Sequence, residues 1–405
     1  MLSKIASRTM LKALALAAIS FLSIIKLQAQ VSTTENIVGT NHFIDSKILD
    51  EERQIQIYLP EGYGEEEKRY SVIFILDGQR FFLHTVGLAA TFKQYQLTPE
   101  FIVVGITNSY PQRFNHFADG KQQFAEFIEK ELMPYVESSY RTSGERLLFG
   151  WEYAGSFAFH MLANHPSLFD GYMLASPFPL LDKVDVLDKL PALNKSLYFS
   201  VSPNEFEVNR GVDKLDSLLS EKDLPGLDWT CFRLENEEHR STGYSTLYHG
   251  LRKYFRYYPE LQVDDLQAFV EAGGMAYAHS YTKERASRYG FSPNMSLWSR
   301  FTIVRSAVRA RDYTRFREFY EALGSAMLIS DLIEGGRSYG AFSIADFLVE
   351  NGQHKQAIDI YLALLKQSPD SADLLSTLAG AYQALGNQGE AKKYLQKFKK
   401  LKQQK

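Results

Sequence analysis

Seven short apolar runs, each closed by polar or turn-forming residues, constrain the fold of this 405-residue chain more than any other feature. "YSVIFILDG" (70–78) and "FIVVGIT" (101–107) are nearly unbroken apolar runs rich in β-branched residues. Such runs suit strands of a parallel sheet buried on both faces, where few side chains meet water. "RLLFG" (146–150), "YMLAS" (172–176), "SLYFSVS" (196–202) and "WTCFRLE" (229–235) continue the series. "QIQIYLP" (54–60) instead alternates with period two, as a half-buried strand does. Helical patterns lie between the runs, among them "KQQFAEFIEKELMPYVESSY" (121–140) and "GVDKLDSLLSEKD" (211–223). Strands alternating with helices predict an open, mostly parallel α/β sheet covered on both faces.

One strand end carries chemistry. "LLFGWEYAG" (147–155) has the outline of G-x-S-x-G, the sharp strand-to-helix turn that exposes a nucleophile. Glu152 stands where the serine of that pattern belongs, and Ala154 replaces its second glycine.

From about Pro259 the pattern becomes wholly helical, and its end repeats. Ala345 matches Ala379, Leu348 matches Tyr382, Gly352 matches Gly386, Ala357 matches Ala391 and Tyr361 matches Leu395, each at an offset of 34 residues. That is the period of a tetratricopeptide repeat, in which small residues let paired helices approach and a glycine makes the turn. Two repeats cannot bury a core alone, so the helices around "SLWSRFTIVRSAVRARDYTRFREFYEALG" are expected to stack on them.

The remaining composition mainly excludes. A net charge of −3 gives no reason to expect a nucleic-acid partner. Cys231 is the single cysteine, so neither an internal disulfide nor a thiolate metal site can form. The sequence has no Gly-rich phosphate loop and no metal-ligand constellation, and no cofactor is expected. At the N-terminus, Lys4, Arg8 and Lys12 precede a mostly apolar run from Ala13 to Ile25, followed by Leu27 and Ala29. The run is shorter than the about 20 residues a membrane span needs. It reads as a secretory signal peptide over 1–29, cleaved before Gln30, with the mature chain delivered to the periplasm. The expected organisation is thus a signal peptide (1–29), an α/β domain (30–258) and a helical domain (259–405) with repeats at 338–405.

Four segments together carry a family resemblance: "VIFILDGQRFF", "FIVVGITNS", "FGWEYAGSFAFHMLANHPSLFDGYMLASP" and "ENEEHRSTGYSTLYHGLRKYF". Over roughly 35–258 the chain resembles the α/β-hydrolase superfamily, and within it the putative esterase family of siderophore and carbohydrate esterases. The resemblance implies a triad in the chain order nucleophile, acid, histidine. Glu152 then takes the nucleophile position, Glu205 or Glu207 the acid and His239 the base. It also implies oxyanion donors from the backbone N–H of Tyr153 and of Gly78 or Gln79. His165 and His249 read as structural residues of a turn and of the last helix.

A carboxylate at the elbow changes the expected chemistry. Attack on an acyl carbon would form an anhydride, and the negative charge would sit where an oxyanion must develop. Loss of a triad serine costs on the order of 10⁶ in turnover. Related dehalogenases and epoxide hydrolases use aspartate at this point, but glutamate reaches about 1.5 Å further. Two readings follow. One is a secreted, non-catalytic esterase homologue that binds an ester ligand in its pocket, or a protein partner through its repeats. The other is an active hydrolase in which Glu152 and His239 act by an unusual route, such as an acid–base pair.

Overall fold

The computed structural model describes residues 32–65, 67–189, 193–222 and 224–403. The expected signal peptide lies outside the described residues. Eight strands form one sheet: β1 (Thr40–Ser46), β2 (Glu51–Tyr58), β3 (Tyr70–Leu76), β4 (Phe101–Ile106), β5 (Thr142–Trp151), β6 (Gly171–Ala175), β7 (Lys195–Val201) and β8 (Leu227–Arg233). Their order is β1-β2-β4-β3-β5-β6-β7-β8. The β1–β2 and β2–β4 pairs are antiparallel, and β3 to β8 run parallel with β4. The first strand was not legible as a run. "TNHFIDS" pairs only with β2 and is largely exposed, so burial selects no apolar pattern there.

The continuous apolar runs have a direct cause: both faces of the parallel strands are covered. Val72, Phe74, Leu148 and Leu174 point to one face, against Phe124 and Phe127 of α3 (Lys121–Phe127), Phe157 and Leu162 of α5 (Tyr153–Asn164), and Val212 of α6 (Phe206–Glu221). Ile73, Ile75, Phe149 and Met173 point to the other, against Phe81 and Phe92 of α1 (Gly78–Gln94) and Leu247 and Leu251 of α7 (Thr242–Tyr254). A short helix, α2 (Gln112–Phe117), follows β4. The 121–140 segment is helical as expected, but a π turn at Ile128–Leu132 joins α3 to α4 (Met133–Ser139). Pro134, which has no N–H to donate, lies just after that turn.

Residues from Leu266 onward contain only helices among the described elements: α8 (Leu266–Glu271), α9 (Gly274–Tyr289), α10 (Leu297–Arg309), α11 (Tyr313–Ala322), α12 (Ser325–Glu334), α13 (Ser338–Glu350), α14 (His354–Gln367), α15 (Ala372–Ala384) and α16 (Gln388–Gln403). The last four are the two expected hairpins. Gly352 and Gly386 occupy matching turns with φ of 75° and 77°, a region that glycine enters without steric cost. Phe301, Phe316 and Leu328 share one core with Ala345, Tyr361 and Leu378, so the preceding helices complete the repeats' hydrophobic interior.

This helical region meets the α/β part at the end of the sheet opposite the elbow. Arg288 of α9 pairs with Glu145 at 2.9 Å, and the Tyr281 hydroxyl donates to the Arg256 carbonyl at 2.7 Å. Glu145 lies near the start of β5, six residues before Trp151, which is about 20 Å along a strand. α9 therefore braces the base of the sheet and does not form a lid over the elbow.

Candidate active site

The β5–α5 turn is as sharp as its sequence implies. Glu152 has φ 59° and ψ −120°, a conformation uncommon for a residue with a side chain. Its N–H donates to the Ala175 carbonyl at 2.9 Å, and its own carbonyl accepts from Ser156 and Phe178 at 3.0 and 3.1 Å. These bonds hold the turn from three sides. Close approach within the turn also dictates Gly150: a Cβ there would lie 2.2 Å from the Ala154 carbonyl oxygen. Neither backbone can yield cheaply, so Gly150→Ala should cost about 3 kcal/mol, the upper end of ordinary overpacking. Urea unfolding would measure this, with Gly64→Ala as a control, because a Cβ at Gly64 meets nothing within 4 Å.

Three of the expected side chains converge above the ends of β5, β7 and β8. His239 Nδ1 lies 2.5 Å from Glu205 Oε2, and His239 Nε2 lies 3.9 Å from Glu152 Oε1. The histidine thus has a carboxylate on each side. Glu205 is fixed from behind: its Oε1 accepts from the Ser176 hydroxyl at 2.9 Å, the Ser202 N–H at 2.9 Å and the Ser202 hydroxyl at 2.7 Å. Glu207 also lines the cleft but is paired elsewhere. It lies in the first turn of α6, exposed and paired with Arg210. The choice between the two acids is one of position: Glu205 precedes the helix and turns inward, whereas Glu207 rides on its solvent side. Trp151 supports the histidine loop. Its indole N–H donates to the His239 carbonyl at 3.0 Å, and its ring centroid lies 4.9 Å from the His239 ring. His165 caps α5 and His249 packs on Phe232, both structural places.

Gly78 and Gln79 open α1 and Tyr153 opens α5. Their N–H groups are among the four that a helix start leaves without an internal partner. The Gln79 side chain is committed elsewhere: its amide N–H donates to the Asn108 carbonyl at 2.7 Å, and its oxygen accepts from the Asn108 N–H at 3.0 Å. That clamp ties the β3–α1 loop to the end of β4.

Arg113 is the site residue that sequence reasoning missed. Its guanidinium binds Asp77 in a bidentate manner, with Nε 2.9 Å from Oδ1 and Nη2 2.8 Å from Oδ2. Its Nη1 reaches Glu152 Oε2 at 3.2 Å. Asp77 and Glu152 are the residues that precede α1 and α5, both have positive φ, and neither carboxylate caps its own helix. Arg113 therefore joins two helix starts through their acids. Burial alone would lower the Arg113 pKa, but the hydrogen bonds and charge of Asp77, with Glu152, outweigh it and hold the guanidinium charged. No motif marks this residue. It lies in the "NSYPQRFNHF" loop, and only the fold brings it to the elbow.

The surroundings are aromatic. A cavity of about 280 Å³ is lined by Glu152, Phe178, Asn204, Glu205, Phe206, Glu207, Val208 and His239. Phe206 is 84% exposed at its edge. The Tyr153 ring packs between Phe114 and Phe178, with centroids 5.2 and 5.8 Å away.

Comparison with known proteins agrees with this architecture. Residues 46–219 match the putative esterase family, and residues 348–404 match a tetratricopeptide repeat. A siderophore enterobactin esterase of Emericella nidulans is 44% identical over 61 residues, 14% of this chain and 20% of that protein. The uncharacterized protein YbbA of Bacillus subtilis is 22% identical over 133 residues, 29% of this chain and 53% of that protein. The chain thus spans about half the length of one curated relative and a fifth of the other. An IroE-like serine hydrolase from Shewanella oneidensis shares the fold, with a TM-score of 0.51 and 23% identity, over 71% of this chain and 99% of that one. So does an uncharacterised protein from Capnocytophaga ochracea, with a TM-score of 0.52 and 17% identity, over 80% and 93%. The esterase family implies ester substrates and the repeat suggests protein interactions. Among the described residues no helix is long and apolar enough to cross a membrane. Residues 46–219 are therefore homologous to the putative esterase family, on an α/β-hydrolase-like sheet, and residues 348–404 to a tetratricopeptide repeat.

Proposed function

We propose that this protein binds an ester ligand in the cleft above Glu152 without turning it over by the serine route. The observation that carries this reading is the carboxylate at the tip of the elbow, held by Arg113 at 3.2 Å and facing His239 at 3.9 Å. In this reading Glu152 occupies the nucleophile position. Esterases acting through a hydroxyl need a base to remove its proton, and Glu152 offers none. An oxyanion held by the N–H groups of Gly78 or Gln79 and Tyr153 would also develop beside a standing negative charge. The aromatic rim of Tyr153, Phe178 and Phe206 suits an ester with an aromatic acyl group, in line with the siderophore esterase among the relatives. Purified protein assayed with aryl esters tests the reading, with Glu152→Ser and His239→Ala as variants.

One observation favours a second reading. The Glu205–His239 pair is complete, and a water between His239 and Glu152 would meet an acid–base pair. Ester turnover by the wild type that disappears in His239→Ala would establish that reading over the first.

The protein acts, in this proposal, after export to the periplasm, because its basic and apolar start ends in small residues before Gln30. N-terminal sequencing of protein from the native host should begin at Gln30; full-length chain confined to the cytoplasm would contradict export. The repeats either bind a protein partner there or serve only to complete the helical core behind α9.

A further inference from the structure

Charge is unevenly spread along this chain. The whole sequence carries −3, yet α15 and α16 together hold six lysines against two acids, Asp373 and Glu390. All six, Lys392, Lys393, Lys397, Lys399, Lys400 and Lys402, lie on α16 and are exposed. Among the described residues, Lys393 is the one of them with a carboxylate in ion-pair range, Glu390 at 2.8 Å. The side of α16 that faces the protein is fixed by Ala391 and Tyr394, both buried, and by the stacking of Tyr394 on Tyr382 of α15, with centroids 5.6 Å apart. Phe398 and Leu401 continue that side into the helical core. These four recur at intervals of three and four residues, one face of a helix. A second series keeps the same spacing one residue on, about 100° round the helix. It consists of Lys392, Leu395, Lys399 and Lys402, an exposed stripe about 15 Å long at 1.5 Å per residue. Leu395 has a lysine one turn away on either side and is 43% exposed.

A helix that ends a repeat array needs a polar outer face for solubility. Both signs of charge, interspersed, serve that need. Here the charges of the stripe are all positive, and an apolar residue sits at its middle. Lysine is also a mobile point charge, without the planar fork by which arginine grips one phosphate. Such a stripe complements many anionic phosphates in no fixed arrangement, with hydrocarbon beneath them. We propose that this face of α16 docks the protein on a membrane surface rich in anionic phospholipid. Lys392, Lys399 and Lys402 meet the headgroup phosphates, and Leu395 enters the boundary of the acyl chains. The helix lies along the surface, being neither long nor apolar enough to cross it. The inference does not depend on whether the elbow turns over esters.

Co-sedimentation with vesicles of equal parts phosphatidylglycerol and phosphatidylcholine tests the proposal. The chain from Gln30 onward, the form expected after export, is used, so that the apolar N-terminal run cannot bind lipid itself. Binding should be at least about tenfold tighter than to pure phosphatidylcholine vesicles, and should weaken in about 0.5 M sodium chloride. Each lysine removed should weaken it about fivefold, so the triple variant Lys392→Gln, Lys399→Gln, Lys402→Gln should lose about a hundredfold. Leu395→Gln should weaken it about fivefold through the lost apolar contact. Replacing Lys47, Lys130 and Lys283 by glutamine removes the same charge from other exposed places and should change binding less than about twofold. A thermal melt of each variant checks that it folds. Equal binding to both vesicle types, an undiminished triple variant that folds, or an equal loss in the charge-matched variant would each overturn the proposal. So would a DNA duplex or polyglutamate bound at least as tightly as the anionic vesicles with Leu395→Gln without effect, which would assign the stripe to a nucleic acid or an acidic protein.

Discussion

Arg113→Met is expected to lower the stability of the fold by about 3–5 kcal/mol, the range for breaking a buried ion pair from one side. Asp77 is fully buried, and Arg113 gives it three hydrogen-bond contacts at 2.8 to 3.0 Å. Methionine fills much of the same volume but returns no charge. Asp77 is then left with the cost of a buried carboxylate, and the β3–α1 loop with an unpaired anchor. Glu152, partly exposed, turns more easily to water and contributes less to the loss. Burial pushes the Asp77 carboxyl up, and Arg113 is what opposes it. In the variant the folded Asp77 carboxyl is pushed further up, opposed only by Arg80 and Gln79. A group whose pKa is raised on folding stabilises most at low pH, and that contribution fades as pH rises through the folded value. The penalty should therefore grow with pH. Asp77→Asn in the Arg113→Met background should recover part of the loss. Urea unfolding at several pH values measures all of this, and a loss below about 1 kcal/mol for Arg113→Met would contradict the buried pair's role.

The parallel core was readable because burial on both faces leaves a signature that needs no partner to interpret. β3 and β4 are wholly buried and appear in the sequence as unbroken apolar runs. The repeats were readable for a related reason. Ala345 and Ala379 lie in one core and Gly352 and Gly386 share one turn conformation, so the same constraint is written twice. β1 left no such trace, because its side chains face water and its pairing with β2 rests on backbone bonds. Glu152 and His239 could be placed by their position after strand ends. Arg113 could not, because its role exists only where three separate segments meet: the Asp77 loop, the turn after β4 and the elbow. The inward turn of Glu205 depends likewise on Ser176 from the end of β6, with Ser202 of its own loop after β7.

A hydroxyl placed at the elbow by Glu152→Ser is expected to raise ester turnover above that of the wild type, which the proposed function expects to be silent. In Glu152→Ser the serine would stand in the sharp turn that Gly150 permits, beside a histidine already fixed by Glu205 at 2.5 Å. The standing negative charge beside the developing oxyanion would be gone, and Arg113 would keep its place on Asp77. The full effect of a triad serine is on the order of 10⁶ in turnover. A pocket shaped around glutamate should recover only a small part of it, about tenfold to a hundredfold above background by the same scale. His239→Ala in the serine variant should return it to background. The most direct measurement is hydrolysis of a nitrophenyl ester by wild type, Glu152→Ser and His239→Ala at equal, verified folding. A silent wild type with a gain in Glu152→Ser is the result predicted here; robust wild-type turnover that vanishes in His239→Ala would contradict it.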